Sequence, residues 1–194
     1  MIDQSRFQPA RRAALIFIFF TVLIDILAFG LIIPVLPHLI KNIGNYDFGQ
    51  AAMMSGWFSV AFSVIQFVFA PLLGALSDRY GRRRVILISC FGLAVDFTFM
   101  ALATTIPMFF IGRVISAMTS ASFSTANAYI ADVTPPEKRA AAYGKLGMAF
   151  GIGFVLAPAI GGLLGDVSPR LPFWIAAGLS LANFCYGYFV LPES

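Results

Sequence analysis

Three long stretches of this sequence contain no charged residue. No Asp, Glu, Lys or Arg occurs in residues 48–77, 146–165 or 171–192. A helix rises 1.5 Å per residue, so about 20 apolar residues span the hydrocarbon core of a bilayer. Only 11% of the 194 residues are charged, whereas soluble domains carry about 25%. The chain is therefore predicted to be an integral membrane protein.

Six apolar segments of helical length can be distinguished along the chain. They cover approximately residues 13–36, 51–76, 85–105, 107–131, 146–165 and 171–191. The segments are continuous, which argues against the alternating strands of a membrane barrel, and they lack the polar stripe of a soluble helical bundle. The first segment is longer than a signal-peptide core and has no small-residue cleavage site, so it is predicted to be retained. These features predict one all-α domain with six transmembrane helices.

Positive charges are distributed unevenly between the loops. Ten lysines and arginines lie in the N-terminal tail and in the second and fourth loops, whereas the other loops contain only Lys41 and Arg170. Because basic loops remain in the cytoplasm, both termini are predicted to be cytoplasmic. Topology thus accounts for the net charge of +4, and no nucleic-acid partner is expected.

Three ionisable residues interrupt the apolar segments: Asp25, Asp96 and Arg113. Each costs roughly 2.5–3.5 kcal/mol at a helix centre, so the first hypothesis for all three is function, here proton coupling. Counting from the helix ends places both aspartates about 17 Å deep and Arg113 about 9 Å from the opposite face, so the three could approach one another. Asp25 is the candidate proton-titrating carboxylate, and Asp96 is expected to make an interhelical contact. A static buried pair is the alternative for Arg113.

Uncharged side chains in the segments provide candidate substrate contacts. Gln66, in the middle of the second segment, could hydrogen-bond a substrate or a neighbouring helix. Phe29, Met118 and Phe123 are candidate apolar contacts, with packing against lipid as the alternative. The chain has one histidine and no visible nucleophile–base cluster. Neither an enzyme, a metal site nor a cofactor is therefore expected.

Residues 74–83 read Gly-Ala-Leu-Ser-Asp-Arg-Tyr-Gly-Arg-Arg, between the second and third segments. This order resembles the signature loop of the major facilitator superfamily. The matching residues are Gly74, Asp78, Arg79, Gly81, Arg82 and Arg83. Gly81 permits a tight turn, and Asp78 can make charge-assisted bonds to the arginines that hold one face of a transporter closed. A topogenic basic loop is the alternative, but it does not explain the Gly/Asp/Gly order.

Two further segments resemble the drug/proton antiporters of this superfamily, and the tetracycline efflux proteins in particular. Residues 25–37 are similar to their first helix. The fifth segment carries the small residues and proline of an antiporter motif: Gly144, Gly153, Ala157, Pro158, Gly161 and Gly162. Ala157 stands where the family usually has glycine. Gly153, Ala157 and Gly161 are four residues apart and form one smooth face for helix packing, while Pro158 should bend the helix.

The resemblance implies a role for the whole chain. It implies that Asp132 and Arg139 are partners of the signature loop around Asp78. It also implies half of a twelve-helix body, built from two inverted three-helix repeats, in the bacterial inner membrane. Such a body exports a hydrophobic drug in exchange for protons, and the drug binds between helices one, two, four and five. A half lacks the second wall, so a second six-helix half or a homodimer is the expected partner.

Two alternatives to a half-transporter remain open at this point. One is a membrane-binding or regulatory partner that kept the fold without transporting anything. The other is a fragment of a longer, twelve-helix transporter. The oligomeric state in mild detergent would separate these possibilities from a self-sufficient pair.

Overall fold

The computed structural model describes residues 7–119 and 122–190, and these ranges are helical almost throughout. In chain order the helices are α1 (Phe7–Ile32), α2 (Leu36–Gly44), α3 (Phe48–Tyr80), α4 (Arg82–Leu102), α5 (Ile106–Thr119), α6 (Ser122–Val133), α7 (Pro136–Val167) and α8 (Leu171–Val190). Within the described ranges there is no β-strand. The predicted all-α class is confirmed.

A sharp bend divides the first predicted segment. α1 ends at Ile32, and the axis of α2 departs from that of α1 by 44°. Pro34 lies in the bend, where its ring cannot continue the helical hydrogen-bond ladder. Pro37 lies in the first turn of α2, where a missing N–H is tolerated. The chain therefore continues past the predicted end of the segment as a second helix, which stops at Asn45 with φ at 52°.

α3 is longer than the predicted second segment at both ends. At its start, the Asp47 carboxylate accepts the Gln50 N–H at 3.0 Å and the Gln50 side chain accepts the Asp47 N–H at 3.2 Å. Its last turn contains Asp78 and Arg79, so much of the signature loop is helical. Gly81 alone separates α3 from α4, with φ at 96°. Glycine adopts such a positive φ without steric cost, which makes the one-residue turn possible.

Several helices are long and apolar enough to cross a membrane. By length and composition they are α3, α4, the stretch Ile106–Val133 and α7, and the bent α1–α2 pair would be a fifth. The fourth predicted segment corresponds to α5 and α6, and its residues 120 and 121 lie outside the described residues. α8 has 20 residues and coincides with the sixth predicted segment. The count of six spans stays a prediction.

Two groups of buried apolar side chains hold the helices together. The larger group joins α1, α2, α4, α5 and α8 with part of α3, and it includes the fully buried rings of Phe97, Phe109 and Phe173. The smaller group joins α1, α4, α6 and α7 around Tyr129. Both groups contain side chains of α1 and of α4, so these two helices connect the two parts of the core.

Two helices leave wide apolar faces uncovered. Trp57 and Phe67 on α3 are 65% and 81% exposed, and Val155 and Leu163 on α7 are 72% and 71% exposed. Apolar side chains of a membrane protein can face lipid at no hydration cost, and they can equally pack against another membrane domain. These two faces are open to lipid or to a partner.

Candidate functional site: two buried polar clusters and a basic turn

A buried ion pair joins α4 to α5. Nη1 of Arg113 lies 3.8 Å from Oδ2 of Asp96, and the two side chains are 7% and 0% exposed. This separation is that of an ion pair and exceeds a normal hydrogen bond. Gly112 allows α5 to approach, because a Cβ at that position would lie 3.2 Å from Oδ1 of Asp96. The Arg113 guanidinium also lies 5.0 Å from the ring centre of Phe62, so α3 takes part in the same cluster.

Asp25 lies in a second polar cluster, between α1, α4 and α8. Nδ2 of Asn183 is 3.4 Å from Oδ1 of Asp25 and 3.6 Å from the Cys90 sulfur. Thr21, one turn before Asp25, donates its hydroxyl to Oδ1 of Asn183 at 3.2 Å. Cys90 lies six residues before Asp96 on α4, which is about 9 Å along the helix axis. The two clusters are therefore neighbours along α4.

A cavity of about 180 Å³ opens beside Arg113. Its walls come from α1, α2, α3 and α5 and consist of Phe29, Ile32, Ile33, Leu36, Pro37, Ser55, Gly56, Ser59 and Arg113. The hydroxyls of Ser55 and Ser59 donate to backbone carbonyls one turn earlier, at 2.8 and 2.9 Å. Their oxygens can still accept a hydrogen bond from a ligand. The cavity thus combines a mostly apolar wall with one cationic group.

The candidate substrate contacts are placed differently from one another. Phe29 lines the cavity and is 43% exposed. Met118 on α5 is 39% exposed and Gln66 on α3 is partly buried, and neither belongs to the lining of this cavity. The side chain of Phe123 lies outside the described residues. Of the three candidates whose side chains are described, Phe29 is therefore the one positioned to meet a ligand beside Arg113.

Arg82, the first residue of α4, connects the ends of three helices. Its Nη1 lies 2.6 Å from Oδ1 of Asp78 and donates to the Ser77 hydroxyl at 3.0 Å, both at the end of α3. Its Nε donates to Oδ2 of Asp132 near the end of α6, also at 3.0 Å. One guanidinium thus makes charge-assisted bonds to two carboxylates on different helices. This group is called the Arg82 cluster below.

Two further arginines brace the same end of the bundle. Arg83 donates to the backbone carbonyl of Tyr188, near the end of α8, at 2.7 Å. Arg139 donates to the carbonyls of Thr134 and Ala131, at 3.1 and 2.8 Å. Basic groups on the last carbonyls of a helix stabilise its C-terminus. Of the two residues implied as loop partners, Asp132 contacts the loop, and Arg139 braces the chain that follows α6.

Gly153, Ala157 and Gly161 form the face of α7 that packs on α1. A Cβ added at Gly161 would overlap the carbonyl oxygen of Leu31, and the Cβ of Ala157 lies directly against Gly30. Helix backbones can approach this closely only where side chains are absent or small. α7 continues as one helix through Pro158.

Three other glycines of the two motifs, and Arg79, lie at open surfaces. A Cβ at Gly74, Gly144 or Gly162 would meet nothing within 4 Å. Arg79 lies over the ring of its neighbour Tyr80, 5.4 Å from the ring centre. The helix surfaces at the three glycines are smooth and open, so another helix could approach them closely.

Asn183 is the residue of the Asp25 cluster that the sequence analysis missed. It is fully buried on α8 and contacts side chains of both α1 and α4. The available signal was an amide in an otherwise apolar segment, since 171–191 contains no other Asn or Gln. Polar side chains in membrane helices often bond across helices, so this signal indicates a contact without naming its partner.

The long apolar helices enclose a buried ion pair. This combination is typical of membrane transporters, in which buried charges serve function. The chain belongs to the Major Facilitator Superfamily, whose model matches residues 18–194. It is 41% identical over 181 residues to the class C tetracycline resistance protein of Escherichia coli, covering 93% of this chain and 45% of that protein. It is 44% identical over 168 residues to the class D protein of Salmonella ordonez, covering 87% and 42%. The chain spans about half the length of these curated relatives.

Solved structures show the same architecture. The crystal structure of the human organic anion transporter MFSD10 matches with a TM-score of 0.81 and 28% identity, covering 94% of this chain and 48% of that one. A peptide transporter crystallised with sulfate matches with a TM-score of 0.75 and 16% identity, covering 90% and 37%, which shows the fold alone. The described helices therefore correspond to about half of a transporter body.

Proposed function

We propose that this chain forms one half of a secondary transporter that exports a hydrophobic, tetracycline-like drug in exchange for protons. The observation that carries the proposal is the buried Asp96–Arg113 pair beside a mostly apolar cavity. A buried ion pair is often no more stabilising than apolar side chains of the same volume, so stability alone does not account for it. A charged side chain inside a membrane helix is costly to insert, so a functional role is the first hypothesis for it. The drug class is taken from the tetracycline resistance proteins that the chain resembles.

Asp25 carries the exchanged proton in this proposal. Its carboxylate lies in a buried polar cluster on α1, the helix that also supplies Phe29 to the cavity wall. Arg113 provides the coupling, because the same guanidinium pairs with Asp96 and lines the cavity. When the proton passes from Asp25 to Asp96, Arg113 loses its counterion and is released toward the cavity. A ligand there would then meet an uncompensated cation. The proton and the drug would then act on the same Asp96–Arg113 pair. Binding of either one would change the affinity for the other by the same factor.

The partner is a second six-helix half or a second copy of the chain. Drug-binding pockets usually have volumes of about 300–1,000 Å³, and the cavity beside Arg113 has about 180 Å³. One half therefore encloses part of a drug-sized molecule and needs a second wall. The uncovered apolar faces of α3 and α7 are available to receive it. With both termini in the cytoplasm of a bacterial inner membrane, the axis of a symmetric pair lies along the membrane normal.

The Arg82 cluster acts as the conformational lock. It ties the turn between α3 and α4 to the end of α6, and Arg83 ties the same turn to α8. Ion pairs that form in one state and break in the other bias a rigid-body transition between them. We place this lock on the cytoplasmic side, where the basic loops are expected.

Transport of organic anions is a second candidate function. It is favoured by Arg113, a cation in the cavity wall, and the similar human protein is named an organic anion transporter. The two candidates differ in the ligand that drives proton exchange. A tetracycline should do so in the first case, and a small aromatic carboxylate in the second.

The test measures drug-dependent proton movement in inside-out vesicles. The chain is expressed alone, and together with the C-terminal half of the class C tetracycline resistance protein as a separate chain. We expect tetracycline to release protons from acidified vesicles that contain both halves. Asp25→Asn should abolish this release while leaving the amount of inserted protein unchanged. Asp166→Asn, which neutralises an exposed carboxylate at the end of α7, should leave it intact.

The outcomes separate the candidates. Release by an aromatic carboxylate instead of tetracycline would support the second function. Release by neither compound, with both halves inserted, would contradict transport and leave the regulatory partner as the explanation. Full activity of the Asp25→Asn variant would remove Asp25 from the mechanism.

A further inference from the structure

The amide of Asn183 is the centre of the cluster that contains Asp25. The side chain is fully buried, and both ends of the amide have partners. Its Oδ1 accepts the Thr21 hydroxyl at 3.2 Å. Its Nδ2 lies 3.4 Å from the Thr21 carbonyl oxygen, 3.4 Å from Oδ1 of Asp25 and 3.6 Å from the Cys90 sulfur. One side chain of α8 thereby contacts both α1 and α4.

The partners of Asn183 determine which way its amide points. The carbonyl oxygen of Thr21 and an ionised carboxylate can only accept hydrogen bonds, so the NH₂ end must face both of them. The hydroxyl of Thr21 can then donate to the oxygen end. Thr21 and Asp25 are four residues apart on α1 and therefore lie on the same face of that helix. Thr21 therefore holds the amide of Asn183, and the NH₂ group of that amide faces Asp25.

We propose that Asn183 is a positioning residue that holds the Asp25 carboxylate in the orientation from which its proton is exchanged. The proposal deepens the proposed function and rests on it for the role of Asp25. Without the amide, the carboxylate keeps its place in α1 and loses a hydrogen-bond donor in a partly buried site. The carboxylate can then rotate toward other partners, as a metal-coordinating side chain does when the residue that orients it is removed.

Asn183→Leu removes the amide at nearly constant volume, and Thr21→Val removes the hydroxyl that orients it. Ser180→Ala is the matched control, because Ser180 is also fully buried on α8, one turn before Asn183. Vibrational spectra of the purified chain labelled with ¹³C-carboxyl aspartate give a readout that does not depend on transport. The band that disappears in Asp25→Asn belongs to Asp25, in its protonated or its ionised form.

We expect the Asp25 band to shift in Asn183→Leu and Thr21→Val and to stay in place in Ser180→Ala. Packing is checked in a Cys185→Ser background, where the buried Cys90 is the one remaining thiol. Cys90 should remain protected from maleimide in all of these variants. If Asn183→Leu exposes Cys90, Thr21→Val becomes the deciding variant. An Asp25 band that stays in place in a variant with protected Cys90 would overturn the proposal.

Transport then separates this proposal from the proposed function. In vesicles containing both halves, Asn183→Leu should lower kcat for proton-driven export on the order of tenfold with little change in the drug KM, by analogy with orienting partners of other reactive groups. A shifted band in a protein that transports nothing would leave the positioning contact standing and reject the proposed function. A shifted band with unchanged kcat would show that the contact is structural and would overturn the positioning role.

Discussion

The guanidinium of Arg113 lies between the carboxylate of Asp96, 3.8 Å away, and the cavity wall that contains Phe29 and Ser59. A single buried cation thus belongs both to an interhelical ion pair and to the surface that a ligand would contact. Stability and ligand response are expected to depend on the same two side chains, and the two effects can be measured separately.

Breaking this pair on one side should be costly. In Asp96→Asn the charge of Arg113 loses its counterion, and we expect the free energy of unfolding in mild detergent to fall by about 3–5 kcal/mol. Adding Arg113→Gln should recover much of this loss, because the second change removes the uncompensated charge. Tryptophan fluorescence during denaturant unfolding gives the values. Strictly additive losses in the double variant would show that the two side chains do not interact.

Two adjacent glycines of α7, Gly161 and Gly162, should respond differently to substitution by alanine, because only Gly161 lies against α1. Gly161→Ala places a Cβ against the Leu31 backbone, and the helices must shift to accommodate it. We expect a loss of about 1–3 kcal/mol, the usual cost of overpacking. Gly162→Ala is the matched control, because its Cβ meets nothing within 4 Å. Thermal denaturation of the two variants makes the comparison, and an equal loss in both would contradict the packing described for this face.

The Arg82 cluster should affect conformation more than stability. The side chain of Asp78 is 66% exposed, and exposed ion pairs are worth about 0–1 kcal/mol. Asp78→Asn should therefore leave unfolding almost unchanged while weakening the lock.

We expect a cysteine at Ser59, in the cavity wall, to react faster with maleimide from the cytoplasmic side when Asp78→Asn is present. The increase should reach about fivefold, which corresponds to 1 kcal/mol. The measurement uses the Cys185→Ser background, and Asp166→Asn serves as the charge control. An unchanged labelling rate would reduce the loop to a topogenic element.

The topology prediction can be tested at the loops as well as at the termini. The hydrogen bond from Arg83 to Tyr188 places the end of α8 beside the turn between α3 and α4. The ion pair between Arg82 and Asp132 places the end of α6, and hence the loop before Lys138, on the same side. Thr104 follows the opposite end of α4. We therefore expect Lys138→Cys to label from the cytoplasmic side and Thr104→Cys from the outside of intact cells. Reporter fusions at both termini should give cytoplasmic signals. A terminus labelled from outside would contradict the arrangement of six spans.

Depth along each helix could be estimated from the sequence, and rotation about the helix axis could not. Counting residues indicated that Asp96 and Arg113 could meet, and the structure pairs them. The same count allowed Asp25 to join them, but it lies against Asn183 on a different helix. Which faces of two helices meet depends on packing along their whole length, and 3.6 residues per turn leave that choice open for each apolar segment.

Helix ends were the other limit of the sequence analysis. The first segment was predicted to end near residue 36 and to be followed by a loop that contains Lys41. The chain instead bends by 44° and forms α2, since Pro37 fits a first helical turn and Leu39 and Ile40 become buried. The signature loop also contains more helix than predicted, because Gly81 alone forms the turn between α3 and α4.

The approach of Gly161 to the backbone of Leu31 makes the requirements of the two helices unequal. A carbonyl oxygen and an α-carbon are supplied by every amino acid, so this contact imposes no choice of side chain on α1. At this contact the requirement for a small residue falls on α7 alone. Drift in the α1 sequence would leave this contact intact, whereas one added methyl group at position 161 would separate the helices. Because no layer of side chains lies between them at this point, we expect α1 and α7 to move as one body in any rearrangement of the bundle.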